Sequence, residues 1–159
     1  MLIKGIVDED FVNYKRPSMF INFPNCSFKC DKEAGCAVCQ NSALAQESNI
    51  EIDIEELIER YIDNLITSAI VCGGLEPFDS WKDLLSLISK LREKTNNEII
   101  IYTGYNKEEI EEKINILKNF PNIIIKFGRF IPNQESIYDE LLGVKLASNN
   151  QYAIRLGEI

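Results

Sequence analysis

The stretch Ser68-Ala69-Ile70-Val71-Cys72-Gly73-Gly74 decides how this chain is read. It is a short apolar run without a charge, too brief for a helix, and it stops at a pair of glycines. Such a run is a buried parallel strand. Upstream of it, Ile52, Ile54, Leu57, Ile58, Tyr61, Ile62 and Leu65 recur at helical spacing, with Asp53 placed to cap the helix. Downstream, Trp81, Leu84, Leu85, Leu87, Ile88 and Leu91 make a second helix. The strand Glu98–Thr103 follows and ends at Gly104. Asn106 then opens a third helix that runs to about Lys118 with Ile110, Ile114 and Leu117 on one face. Asn122–Phe127 is the next strand and ends at Gly128. Strands alternating with helices in this way predict βα units on a mostly parallel sheet.

Further out, Ser18–Phe23 reads as a strand, with Pro24 and Asn25 as the turn after it. Leu2–Val7 reads as an edge strand and Asp8–Pro17 as a loop. Pro132–Leu142 shows little pattern, and Gln151–Leu156 reads as a last strand. The expected fold is therefore α/β. At 159 residues the chain is too short for eight βα units, so an incomplete β/α barrel formed as one domain over 1–159 is expected. Sites in such folds form at the carboxyl ends of strands. Four of those ends carry unusual residues: Cys26 onward, Gly73-Gly74, Thr103-Gly104-Tyr105 and Gly128-Arg129.

The first of these ends is the densest in chemistry. Cys26, Cys30, Cys36 and Cys39, four of the five cysteines, fall within the loop 24–41. Thiolates so crowded on a loop can converge on one centre, and soft sulfur donors select zinc, copper(I) or an iron–sulfur cluster. A structural zinc site with four cysteines fits the count. Zinc ribbons, however, pair two Cys-x2-Cys knuckles, and only Cys36 and Cys39 have that spacing here. The loop also follows an early buried strand and shares a rim with glycines and an acid, the placement of a reactive centre that faces a pocket.

Composition narrows the classes. The chain carries a net charge of −8, which disfavours nucleic acid or an anionic membrane as the main partner. It contains no histidine, so imidazole acid–base chemistry and imidazole ligation are excluded. No apolar run approaches the ~18 residues of a membrane span, and Met1–Asp10 lacks the apolar core of a signal peptide. A cytoplasmic protein is expected, in which clustered cysteines are metal ligands or redox groups rather than a disulfide framework.

These motifs together resemble the radical S-adenosylmethionine (SAM) enzymes, and specifically the activating proteins of anaerobic ribonucleotide reductases. Cys26-x3-Cys30 followed by Cys39-Gln40-Asn41 is similar to their cluster loop. Gly73-Gly74-Leu75-Glu76-Pro77 is similar to their glycine-glycine-glutamate-proline segment, and Tyr102-Thr103-Gly104-Tyr105 to a strand end of the activases. Gly128-Arg129-Phe130 and Gly143 to Gln151 resemble their C-terminal signature. The resemblance covers nearly the whole chain. It implies a 4Fe-4S cluster on three cysteines, Cys26, Cys30 and Cys39, with one iron open to SAM; Cys36 is the rival to Cys30. It further implies SAM contacts from Val38, Asn41, Gly73, Gly74, Glu76 and Tyr105, with Glu76 on the methionine amino group. No side chain is assigned as catalytic, because cluster and SAM carry the chemistry. The implied reaction is reductive cleavage of SAM to a 5′-deoxyadenosyl radical. That radical takes hydrogen from a glycine of the anaerobic ribonucleoside-triphosphate reductase large subunit. A one-electron donor such as flavodoxin completes the set.

The chain departs from the pattern twice. Cys30 and Cys39 are six residues further apart than in the family, with Cys36 as an extra thiol. Leu75 is either inserted before the glutamate or stands in for a glycine; as an insertion it requires a bulge to keep Glu76 aimed inward. These departures keep open a radical SAM protein that acts on another glycyl-radical enzyme or a peptide. The alternative from a different class is a non-catalytic interaction module with a four-cysteine zinc site. Simpler roles are assigned elsewhere: Cys72 as a small core residue, the run Glu108, Glu109, Glu111, Glu112 as a solvated helix face, and Asn149-Asn150 as a turn.

Overall fold

The computed structural model describes residues 1–38 and 41–157. Its centre is a six-stranded sheet in the order β10-β7-β6-β5-β3-β2. The four inner strands are β3 (Ser18–Phe23), β5 (Ala69–Gly74), β6 (Glu98–Tyr102) and β7 (Ile123–Phe127), all parallel. Antiparallel strands flank them, β2 (Gly5–Asp10) on one edge and β10 (Tyr152–Arg155) on the other. The sheet is thus mixed and mostly parallel, and among the described residues it does not close into a barrel. Gln151–Leu156 does supply the last strand, but at an open edge beside β7. A two-stranded ladder joins β1 (Leu2–Ile3) to β4 (Ile50–Glu51).

Three helices cover one face: α3 (Ile54–Asp63), α4 (Trp81–Lys94) and α5 (Glu111–Leu117). Asp53 caps α3 as expected, its carboxylate accepting from the amides of Glu55 at 2.7 Å and Glu56 at 3.3 Å. The third helix begins later than its sequence pattern suggests, because a 3-10 turn over Lys107–Ile110 precedes it. The helices set Leu57, Ile58, Leu84, Leu87, Ile88, Leu91, Ile114 and Leu117 against the strand residues Ile21, Ile70, Cys72, Ile99, Ile101, Ile123 and Ile125. Full burial of each such side chain contributes about 1.5–3 kcal/mol. Cys72 belongs to this layer, completely buried, and burial pushes its thiol up to about 12.

Strand alternation sends the other side chains to the helix-free face. There Val71, Ile100 and Ile124 pack against Tyr14, Leu142 and Leu146. Their cover is the chain's own loops, including a hairpin of β8 (Ile137–Asp139) and β9 (Val144–Leu146) in a stretch whose sequence showed little pattern. Glu98 locks the start of β6 to this cover, taking hydrogen bonds from the Tyr14 hydroxyl at 2.8 Å and Arg155 at 2.5 Å. Near the carboxyl ends of the strands the cover stops, and a cavity opens.

Asp8–Asp10, expected in a loop, continues β2. The register with β3 shifts between Val7 and Asp10, so Asp8 and Glu9 form an irregularity and Asp10 resumes the pairing opposite Ser18. The buried Asp10 carboxylate accepts from the amide and side chain of Asn13 at 3.1 and 3.0 Å.

Candidate functional site

The cavity measures about 410 Å³, within the ~300–1,000 Å³ usual for a small-molecule site. Its floor comes from two register pairs. Asn22 of β3 faces the buried Gly73 of β5, and Tyr102 of β6 faces Lys126 of β7. Asn22, Tyr102 and Lys126 line the cavity, while Gly73 sits so close below that a Cβ there would lie 2.8 Å from the Phe20 ring.

One wall is the cysteine loop. Cys26 and Cys30 both line the cavity, Cys30 from the first turn of the short helix α1 (Lys29–Ala34). Phe28, between them, adopts left-handed φ 56° and ψ 41°, costly for a residue with a side chain. This conformation turns its amide towards Cys26, donating to Sγ at 3.2 Å. The loop is tied to the turn after β5, where the Ser27 amide donates to Asp79 at 3.0 Å and the Asn25 side chain to Ser80 at 3.1 Å. Asn41 closes the wall, donating to the Gly74 carbonyl at 2.7 Å.

Opposite the loop stands Glu76. Its Oε1 accepts from the Phe78 amide at 3.1 Å and the Thr103 hydroxyl at 2.9 Å, and its Oε2 from the Gly104 amide at 2.9 Å. Burial pushes the carboxyl up to about 7 in spite of these donors. Burial thus favours its neutral form, and a cation entering the cavity would favour the charged one.

Leu75 lies just beyond the regular ladder, since the β3–β5 register runs unbroken to Phe23 and Gly74. Its amide and that of Glu76 donate to the carbonyls of Phe23 and Asn25 at 3.4 and 2.7 Å, two consecutive amides turned to one side as the pairing ends. The chain is turned by Gly74, whose φ of +81° few other residues adopt. Gly104 serves by its lack of a side chain. A Cβ there would lie 3.8 Å from both Cys30 Sγ and Glu76 Oε2, so thiol and carboxylate approach each other across bare backbone.

Of the residues singled out from sequence, Cys26, Cys30, Asn41, Gly74 and Glu76 line the cavity. Tyr105 is not among the lining residues; its hydroxyl donates to Asp79 at 2.5 Å and so braces the same turn as the loop. Val38 also stands off the wall, its amide donating to Asp31 at 2.7 Å. Cys36 is exposed and away from the cavity, its thiol 3.8 Å from the Ala34 carbonyl. The assignment of Cys39 lies outside the described residues.

Several lining residues escaped the sequence reading, and Lys126 is the one buried charge among them. Lys126 is buried, with Nζ 3.3 Å from the Gly128 carbonyl and 5.6 Å from the centre of the Tyr102 ring. Burial pulls its ammonium down to about 8, against the fields of Glu76 and Cys30. Its only sequence signal is a charge inside the apolar run Ile123-Ile124-Ile125-Lys126-Phe127.

The family described as 4Fe-4S single cluster domain matches residues 15–153. The chain belongs to this family. Neither a curated protein nor a solved structure matches it. The donor set fits the cluster that the family name describes: two thiols on one cavity wall, an amide already directed at one sulfur, and further cysteines in the same loop. Sulfur donors of this kind hold iron–sulfur clusters, and hydrogen bonds to the sulfurs tune them. Among the described residues no helix is long and apolar enough to cross a membrane.

Proposed function

We propose that this 4Fe-4S protein is a radical SAM activase whose cavity holds SAM between the cysteine wall and Glu76. One observation carries the reading. Gly104 brings the Cys30 thiol and the Glu76 carboxylate to the same bare stretch of backbone, so a donor set for a cluster and a receptor for an ammonium share one cavity. The open sheet is read as the partial β/α barrel of radical SAM enzymes.

Each residue then has a defined task. Cys26 and Cys30 hold the cluster, with Cys39 as the third thiolate. When bound, the cluster supplies the electron that cleaves SAM. Glu76, fixed by three donors, takes the amino group of the methionine moiety, and Lys126 faces its carboxylate. A zwitterion thus meets a buried anion and a buried cation, and each offsets the cost of burying the other. Phe20, Leu146 and the aliphatic part of Lys145 exclude water from the remaining half of the cavity. The segment that receives the radical enters through the open mouth, beside the exposed Val12. By resemblance, that segment is the glycine loop of the anaerobic ribonucleoside-triphosphate reductase large subunit, and the electron comes from a donor such as flavodoxin.

Lys126→Met tests the zwitterion pocket. Methionine keeps the length of the lysine stem. The one hydrogen bond it removes is to the Gly128 carbonyl, which still accepts from Gln151, so no buried acceptor is left unpaired. Loss of a hydrogen bond to a charged group costs about 1.5–3 kcal/mol, so SAM affinity falls at least ~10-fold. Calorimetric titration of SAM into the anaerobically reconstituted protein measures this. An unchanged affinity removes Lys126 from the site.

A further inference from the structure

Arg129 follows Gly128 at the end of β7, and its side chain is only 6% exposed. Its Nη2 donates to Glu109 at 2.5 Å. Its Nε lies 3.0 Å from the Glu33 carboxylate, an ion pair without hydrogen-bond alignment. Its Nη1 is buried and has no hydrogen-bond partner among the described residues. An unpaired donor edge in a buried position costs on the order of 1–3 kcal/mol, so it calls for a functional reason. The residue is held firmly all the same, for its carbonyl accepts from Asn150 at 2.9 Å and the preceding Gly128 carbonyl accepts from Gln151 at 3.2 Å.

The two carboxylates come from different parts of the rim. Glu109 lies in the turn that leads into α5, whereas Glu33 lies in α1, three residues after Cys30. Arg129 is therefore the link between the helix that carries a cluster thiol and the fixed end of the sheet. Its ion-pair partner Glu33 lies about one turn along α1 from Cys30, which places the guanidinium beside the cysteine wall.

We infer that Arg129 is a positioning residue for the iron–sulfur centre. It clips α1 to the end of β7 through Glu33 and Glu109, and its buried positive charge makes the centre easier to reduce. Charge and hydrogen bonding around a cluster are the levers that set its potential. The inference rests on membership in the 4Fe-4S family and is independent of the SAM reading, since its readouts need no SAM.

The test is a redox titration of the reconstituted full-length protein, followed by the electron paramagnetic resonance signal of the reduced cluster. Amide hydrogen exchange over 29–34 is measured alongside. In Arg129→Gln the ratio of reduced to oxidised cluster at a fixed potential falls about tenfold, the effect of removing one charge several ångströms away in a protein interior. Arg129→Lys keeps the charge and most of that ratio, but it loses the fork that reaches both carboxylates, so exchange in α1 quickens. Glu33→Gln quickens the same exchange with the cluster retained. If Arg129→Gln titrates like the unsubstituted protein, or if glutamine and lysine shift the ratio equally, the electrostatic role is wrong. If Arg129→Gln does not fold, Glu33→Gln and Arg129→Lys decide, and unchanged α1 exchange in both overturns the inference.

Discussion

Cys30→Ala gives a folded protein whose iron and sulfide fall to background after reconstitution, whereas Cys36→Ala binds a full cluster. The contrast follows from placement. Cys30 lines the cavity and stands across Gly104 from Glu76, while Cys36 is exposed beside the Ala34 carbonyl. Neither thiol is in the core, so neither substitution creates the cavity that makes a large-to-small change costly. Cys26→Ala behaves like Cys30→Ala and also leaves the Phe28 amide without its sulfur acceptor. Iron and acid-labile sulfide analysis, with the visible charge-transfer band, reads all three variants. A cluster that survives Cys30→Ala but not Cys36→Ala would reverse the ligand assignment.

The second large effect is on the backbone. Gly74→Ala forces a side chain into a left-handed conformation at φ +81° and sets its Cβ 2.9 Å from the Asn22 Cα on the neighbouring strand. The strand cannot yield without disturbing the Asn22–Gly73 pair beneath the cavity. Together these effects cost about 3 kcal/mol, and for a chain of this size the thermal midpoint falls by ~10 °C. Gly35→Ala is the control. Its φ of +71° carries the conformational cost, but nothing lies within 4 Å of its Cβ position. It should lose only about 1 kcal/mol. Equal losses for the two variants would mean that close approach at Gly74 is not what requires glycine there.

The parallel strands and their order of chemistry were legible because burial on both faces writes an uninterrupted apolar run. Ala69–Gly74 carries it whole, Glu98–Tyr102 carries it after its first residue and Ile123–Phe127 carries it apart from Lys126, and each run ends where the cavity begins. The flanking pieces were not legible, for identifiable reasons. The β8–β9 hairpin exposes Ile137 and Tyr138, so no alternation marks it; it is held by the Asp139 carbonyl and carboxylate, which accept from the amides of Gly143 and Leu142 at 2.8 and 2.9 Å. Asp8–Asp10 reads as loop by composition, yet it is strand because Asp10 resumes the pairing with β3 after an irregularity at Asp8 and Glu9. Glu109 sits in an acidic run that otherwise faces solvent, and only the fold brings Arg129 to it. Lys126 is the sharpest case. A lysine in a buried strand has no meaning in one dimension, because its meaning comes from Glu76 and Cys30, which the chain carries past the ends of β5 and β3, two and three strands away. Whether Leu75 is an insertion or stands in for a glycine is not written in one dimension either: the β3–β5 register is unbroken up to Gly74, and that left-handed glycine turns the chain just before it.

The central claim is that SAM binds in this cavity against a cluster held by the cysteine loop. The most direct measurement is 5′-deoxyadenosine formation by the anaerobically reconstituted protein given SAM, with and without dithionite. The account predicts product only with reductant, and none from Cys26→Ala or Cys30→Ala. A protein that holds its full 4Fe-4S cluster, accepts an electron and leaves SAM intact would contradict it.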